Sequence, residues 1–195
     1  MNPAAHESPT EIKIRELQYQ VATYEDPVAY KTLFFILFPS LQNFAFSILK
    51  SRVWAEEIAS DMLMEVWSRR AKLLEIENLR LYLFISTKHA CLHKLKSEKK
   101  EARFSVGESE VEFISDYANP GETAELHELE ASITAAIRSL PPSCQLIYKL
   151  AKEDKLKYKD IAQLLDISIK TIDSQLAIAL RKIARSLHLN PSKRN

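Results

Sequence analysis

Glycine is almost absent from this chain, and its scarcity limits the folds that the chain can adopt. The 195 residues include only two glycines, Gly107 and Gly121, and no proline lies between Pro39 and Pro120. Sheet proteins need frequent turns between short strands, and glycine and proline are common turn residues. Good helix formers fill most other positions. The sequence therefore predicts an all-α protein.

Five segments in the first hundred residues repeat apolar side chains at helical spacing. Asp26 followed by Pro27 is typical of a helix start. The patterns predict a weak helix over Thr10–Ala22, a helix from Pro27 that stops at Pro39, another that resumes at Leu41, and longer helices over Ser51–Ala71 and from Asn78 to about Lys100. Together these segments predict a helical bundle.

Charge is segregated along the chain, although the formal net charge is only +1. Residues 1–100 carry +2, residues 101–130 carry −8 and residues 131–195 carry +7. The helical period disappears between Ala102 and Gly121, where acidic residues dominate over a single Arg103. The pattern predicts two small helical domains joined by a flexible acidic linker.

The C-terminal part predicts a helix-turn-helix. Helical pattern returns at Glu122–Ser139, stops at Pro141 and Pro142, and restarts at Ser143. Between Lys157 and Ile183, apolar stripes predict two short helices, the first with Ile161, Leu164 and Leu165 and the second with Ile172, Leu176, Leu180 and Ile183. Asp166 supplies a residue that tolerates the left-handed turn and Ser168 an N-cap. An ordinary helical hairpin is the alternative.

Neither the cysteines nor the apolar runs indicate secretion or membrane insertion. Cys91 and Cys144 have no paired spacing, which favours free thiols in a reducing compartment. The apolar patch at Phe34–Phe38 is too short to span a bilayer and is broken at Pro39. We expect a soluble, cytoplasmic protein.

Residues that suggest a metal or an active site are few. His89 and His93 stand at i and i+4 on one helix, but no third ligand supports them and Lys88 and Lys94 would repel a cation. Nucleophile elbows and glycine-rich phosphate loops do not occur in the sequence. We therefore expect no catalytic residue, no metal, no cofactor and no enzymatic activity.

The segment from Asn78 to Lys100 combines lysines with aromatic residues. Such a helix could grip phosphates and stack its rings on unpaired bases. The alternative is a solvated basic face with aromatics in the core, which we favour for Phe84.

An acidic helix, a basic helix, an acidic linker and a helix-turn-helix follow one another in this chain. That order resembles the extracytoplasmic-function (ECF) group of the sigma-70 family, over about residues 24–187. The matching segments are AEEIASDMLMEVW (Ala55–Trp67), NLRLYLFISTKHACLHKLKSEKK (Asn78–Lys100), LPPSCQLIYKL (Leu140–Leu150) and YKDIAQLLDISIKTIDSQLAIALRKI (Tyr158–Ile183).

The resemblance implies an alternative sigma factor that binds core RNA polymerase, recognises promoter −10 and −35 elements and promotes transcription initiation. It implies a region 2 bundle at 24–100, a linker at 101–121 and a region 4 domain at 122–190. A partner anti-sigma factor is also implied, and the free protein is expected to be a monomer.

The resemblance also implies roles for individual residues. Polymerase docking falls to Glu56, Glu57, Asp61 and Glu65. Contact with the −10 element, where one base is extruded, falls to Lys72, Asn78, Tyr82, Lys88, His89 and Lys94. Contact with the −35 element falls to Lys170, Thr171, Asp173, Ser174, Ala177 and Arg181. Asp173 lies at a position where many relatives carry a basic amino acid. The resemblance therefore implies a changed −35 sequence, because aspartate can accept a hydrogen bond from cytosine.

Two other classes of protein fit parts of the pattern. A two-domain regulator could use the same helix-turn-helix on operator DNA without polymerase, as a dimer. A metal-dependent hydrolase would need His89 and His93 to hold a metal ion.

Overall fold

A computed structural model describes residues 9–101 and 124–188, with side chains described for 9–97 and 131–185. Every regular element in those ranges is helical, and no strand occurs there. The predicted all-α class is therefore confirmed. The chain divides into two compact units, Met1–Ser109 and Glu110–Asn195. The predicted linker, apart from its first residue, lies outside the described residues.

In the first unit the described elements are α1 (Pro9–Tyr24), α2 (Pro27–Leu49), α3 (Arg52–Ser68), a 3-10 helix (Arg70–Glu75) and α4 (Leu79–Glu101).

Short polar side chains cap three helix starts. The Asp26 carboxylate accepts from the Val28 amide at 2.8 Å, and the Ser51 hydroxyl accepts from the Trp54 amide at 3.4 Å. The Asn78 side-chain oxygen accepts from the Leu81 amide at 3.0 Å. Each cap satisfies an amide that has no partner within its own helix.

The predicted break at Pro39 is wrong, because α2 runs through this proline to Leu49. A proline inside a helix removes one hydrogen bond and typically costs about 3 kcal/mol. Leu33, Leu37 and Leu41, however, are all buried at successive i+4 positions on either side of it. Their burial contributes about 1.5–3 kcal/mol each, which exceeds the cost of the lost bond.

Helix α2 is the central helix of the first unit and packs against α1, α3 and α4. By length and composition alone it is apolar enough to cross a membrane, because it extends well beyond the short patch at Phe34–Phe38. Its buried face nevertheless belongs to a core shared with the other helices. Phe84 of α4 is fully buried there and meets the Phe44 ring edge to face at 5.1 Å. The core position favoured for Phe84 is confirmed.

The described elements of the second unit are α5 (Ala124–Arg138), α6 (Pro142–Tyr148), a π-helical turn (Lys149–Glu153), α7 (Tyr158–Leu165) and α8 (Ile169–His188). Helices α7 and α8 form the predicted helix-turn-helix. Asp166 ends α7 in the left-handed region, with φ 57°. The Ser168 hydroxyl accepts from the Thr171 amide at 3.0 Å and caps the start of α8.

The apolar stripe of α8 differs from the prediction at one position. Ile172, Leu176 and Ile183 are buried as expected, whereas Leu180 is 48% exposed and Ala179 is buried in its place. Residue 179 lies i+7 from Ile172, which is two helical turns and therefore the same face. Leu180 is consequently free to contact a partner.

Four non-glycine residues among those described adopt the left-handed conformation that glycine would usually take: Glu25, Lys50, Lys155 and Asp166. Lys50 ends α2 and Asp166 ends α7. A left-handed residue with a Cβ costs roughly 1–2 kcal/mol, less for aspartate. The chain thus makes its described turns without glycine, at a cost in stability.

Candidate nucleic-acid and protein interfaces

The acidic residues of α3 do not all have the same surroundings. Glu56, Glu57 and Asp61 are exposed. Glu65 is half-buried and forms an i,i+4 ion pair with Arg69, with 2.8 Å between oxygen and nitrogen. Three of the four predicted docking residues therefore present free carboxylates to solvent, and the fourth already has a cationic neighbour.

Two large apolar side chains lie among these acids, and neither was predicted from the sequence to bind a partner. Val53 is 71% exposed and Met64 is 55% exposed. They lie at i and i+11 with Glu57 between them at i+4, so they share one face of α3. Their spacing is out of phase with the buried stripe of Ala55, Ile58 and Ala59. This mismatch in the sequence could have predicted that Val53 and Met64 are exposed. Exposed apolar side chains among charges are typical of a protein-binding surface.

A cavity of about 180 Å³ opens where the C-terminal end of α3, the 3-10 helix and the start of α4 meet. Lys72 and Tyr82, both predicted to contact the −10 element, line it together with Glu65. The remaining lining residues include Arg69, Glu75 and Ser86, which the sequence analysis missed. The cavity brings an aromatic ring, cations and hydrogen-bond acceptors together in one open cleft.

A line of polar residues continues along α4 from this cavity. Tyr82, Ser86, His89 and His93 lie at i, i+4, i+7 and i+11, which places them on one face. Lys88 and Lys94 lie on other sides of the helix. Asn78 uses its side-chain oxygen as the N-cap of α4. Of the predicted −10 residues, the structure brings together Lys72 and Tyr82, with His89 on the same line.

His89 and His93 are exposed one turn apart, as predicted. Among the described residues, no group of three or more histidine, cysteine or acidic side chains is placed to hold a metal ion.

The six predicted −35 residues are all exposed on α8. Lys170, Ser174, Ala177 and Arg181 form one line opposite the buried stripe, at i, i+4, i+7 and i+11. Thr171 takes part in the helix cap, with its hydroxyl 2.8 Å from that of Ser168. Small residues in the middle of the line and cations at its ends suit close approach to a DNA groove.

Asp173 lies on a flank of this line rather than at its centre. It shares that flank with Ile169, at i−4, and with Leu180, at i+7, and both of these are 48% exposed. Neither apolar residue was predicted from the sequence to bind DNA. An exposed isoleucine in the first turn of α8 is of a kind that contacts thymine methyl groups in a DNA groove.

Buried contacts fix α8 against the rest of the second unit. The Cys144 thiol donates a hydrogen bond to the side-chain oxygen of Gln175 at 2.6 Å. Ala136, Leu140 and Cys144 pack with Ala179 and Ile183 in one apolar cluster. These contacts hold the exposed line of α8 on a rigid support.

Five lysines lie close together in sequence before and at the start of α7: Lys149, Lys152, Lys155, Lys157 and Lys159. They supply much of the positive charge of the C-terminal third. The first helix of a helix-turn-helix crosses the DNA backbone, so cations at this position suit phosphate contact.

The chain is similar to known proteins in its C-terminal sequence and in its fold. Residues 130–191 match the family model described as sigma-70, region 4. The sigma factor RpoE of Bartonella quintana, solved in complex with the anti-sigma factor NepR, has a similar fold. The likeness covers 83% of this chain and 98% of that one, with a TM-score of 0.55 and 20% sequence identity. The structure of CnrH in complex with the cytosolic domain of CnrY aligns over 91% of this chain and 99% of that one, with a TM-score of 0.48 and 16% identity. No curated protein matches the chain by sequence.

Proposed function

We propose that this chain, whose residues 130–191 carry a sigma-70 region 4 domain and whose fold is that of a sigma factor, is an alternative sigma factor of the ECF group. It binds core RNA polymerase in the cytoplasm, recognises the −10 and −35 elements and promotes initiation, without catalysing a reaction itself. Region 2 occupies 24–100, the linker 101–121 and region 4 122–190. The observation that carries the proposal is the region 4 match over a helix-turn-helix with an exposed polar line.

Polymerase docking falls to the face of α3 that holds Glu57 and Asp61 with Val53 and Met64. Exposed carboxylates attract and orient a basic partner surface, and the two apolar side chains supply area that is buried on contact. Glu56 lies beside this face. Glu65, paired with Arg69, has a smaller part in docking because its charge is already balanced.

Recognition of the −10 element falls to the cavity at the start of α4. An extruded base can stack on Tyr82, while Lys72 and Arg69 contact the phosphates on either side. His89 extends this surface along α4, toward the next nucleotides of the single strand. The cavity is lined by both acceptors and donors, which suits a base with several polar edges.

Recognition of the −35 element falls to α8. Lys170 and Arg181 contact phosphates or guanine at the two ends of the line, and Ser174 and Ala177 allow close approach between them. Asp173 reads a neighbouring base from the flank. The lysines around α7 add phosphate contacts that do not depend on sequence.

An anti-sigma factor is a further proposed partner. The solved RpoE structure contains such a protein. In this chain the apolar side chains exposed on α3 and α8 would be buried by a partner of that kind, which would compete with polymerase and promoter DNA. The free protein is proposed to be a monomer.

Run-off transcription with purified core polymerase on genomic fragments tests the function. The wild-type chain should direct initiation at defined start points, and Asp61→Lys should weaken polymerase binding at least tenfold by placing a cation against a basic partner. Glu16→Lys makes the same charge change at an exposed site on α1 and serves as the control. Tight, sequence-specific DNA binding by a dimer without polymerase would instead identify an operator-binding regulator.

A further inference from the structure

Gln18 of α1 is a buried polar residue whose only described partners lie far away in sequence. Its side chain is 5% exposed. The amide nitrogen donates to the Leu73 carbonyl at 2.6 Å and to the Ile76 carbonyl at 2.8 Å. Both of its amide hydrogens are therefore used, and both acceptors belong to the end of the 3-10 helix and the residue that follows it.

These two acceptor residues also form part of the cavity proposed to hold the extruded base. Leu73 of the 3-10 helix and Ile76, which follows that helix, line it together with Tyr82 of α4. On its other side, the same segment borders a groove of about 590 Å³ against α1, lined in part by Tyr19, Leu74 and Ile76. The segment is thus a thin wall with open space on both sides.

This wall is held mainly by α1, against which the 3-10 helix packs, and to a smaller extent by α3. Leu73 is buried, but Leu74 is 57% exposed and Glu75 and Glu77 are exposed. Besides the Gln18 amide, the Leu73 carbonyl accepts only the local bond from the Ile76 amide at 3.1 Å. Because the wall packs chiefly on α1, the two hydrogen bonds from Gln18 fix its backbone at the point where it turns toward α4.

We infer that Gln18 is a positioning residue for the base-binding cavity, and that α1 is therefore part of the −10 recognition apparatus although it precedes residue 24. The inference rests on the proposed function. Gln18 does not touch DNA; it sets the distance between the 3-10 wall and Tyr82. Sites of this kind lose activity steeply when a wall shifts by a fraction of the size of the ligand.

The test uses the polymerase holoenzyme reconstituted with full-length Gln18→Met, which keeps the side-chain length and removes both donors. On promoter fragments carrying each of the four bases at the extruded position, we expect about a tenfold loss of open complexes on the preferred base. The preference among the four bases should flatten. Affinity for core polymerase and for a −35 duplex should stay within about twofold, since neither surface involves α1.

Gln20→Met, the same substitution two residues further along α1, is the matched control and should behave as wild type. Trp54 and Trp67, the only two tryptophans, both lie in the first unit and report its folding through their fluorescence. If Gln18→Met is unfolded at the assay temperature, Gln18→Asn replaces it, because its amide is one methylene too short to reach both carbonyls.

Two results would contradict different claims. An active wild-type holoenzyme whose base preference is unchanged by the Gln18 variants overturns the positioning role alone. A wild-type chain that supports no initiation with core polymerase overturns the proposed function itself.

Discussion

The ammonium group of Lys94 on α4 lies 3.0 Å from the centroid of the Trp54 ring on α3. A cation over an indole face is attracted by the negative charge of the ring face. Lys94 is half-buried in this contact and so joins two helices of the first unit. Its ammonium is directed to the protein, whereas the exposed Lys96 two residues later is available to solvent.

Replacing Lys94 should therefore cost stability rather than DNA affinity. We expect Lys94→Met to lower the free energy of unfolding by about 0.5–2 kcal/mol, the usual range for a partly desolvated cation–π contact. Lys96→Met, the matched control, should change it by less than about 0.5 kcal/mol. Urea unfolding followed by tryptophan fluorescence measures both variants. Equal stability of the two variants would show that the Trp54 contact contributes nothing.

The left-handed turn at Asp166 gives a paired prediction. Asp166→Gly removes the steric cost of the left-handed conformation and should stabilise the helix-turn-helix by about 0.5–1 kcal/mol. Asp166→Ala should destabilise it by a similar amount, because alanine lacks the polar side chain that eases this conformation. Amide hydrogen exchange in α7 and α8 should slow in the first variant and quicken in the second. A change in the same direction for both would rule out the backbone explanation.

The proposed division of work on α8 can be tested through salt dependence. Lys170→Ala should weaken promoter binding by the holoenzyme on all sequences and reduce the slope of log affinity against log salt concentration by about 0.9, as for one lost phosphate contact. Asp173→Ala should leave that slope unchanged and alter discrimination at one −35 base pair by about 1–3 kcal/mol. Lys13→Ala, an exposed lysine on α1, is the control. An unchanged base preference in the Asp173 variant would exclude it from base reading.

Burial raises the pKa of the Cys91 thiol to about 11, because a thiolate is poorly solvated in the core. Between about pH 9 and pH 11 the unfolded chain loses this proton while the folded chain keeps it. Stability from this group is thus complete below pH 9 and declines as the pH rises toward 11. Cys91→Ala should lose less stability than wild type between pH 8 and about pH 10.5, measured by urea unfolding at each pH. Parallel curves for the two proteins would refute the raised pKa.

Much of the local structure could be predicted because its causes lie within a few residues. The caps at Asp26 and Ser168 and the turn at Asp166 depend on short-range hydrogen bonds and on the backbone preferences of single residues. The exposed line of α8 follows from helical period alone. In each case the residues that interact are neighbours in sequence, so the pattern carries the information.

The candidate site was harder to predict because its parts are distant in sequence. Glu65 was grouped with the docking acids, and only the fold shows it lining a cavity with Lys72 and Tyr82. Lys94 fits a basic helix by sequence, and only the packing of α4 on α3 turns its ammonium onto Trp54. No periodicity indicates either contact.

The sequence by itself determined an all-α chain with a C-terminal helix-turn-helix, since scarce glycine, helical period and local capping act over one or two turns. Tertiary structure decided that α2 continues through Pro39 and that Ala179 rather than Leu180 faces inward. It also decided that Gln18 donates to the Leu73 and Ile76 carbonyls. Those outcomes depend on burial and hydrogen bonding between segments up to 58 residues apart, as between Gln18 and Ile76. Their energies exceed the local preferences that the sequence pattern records.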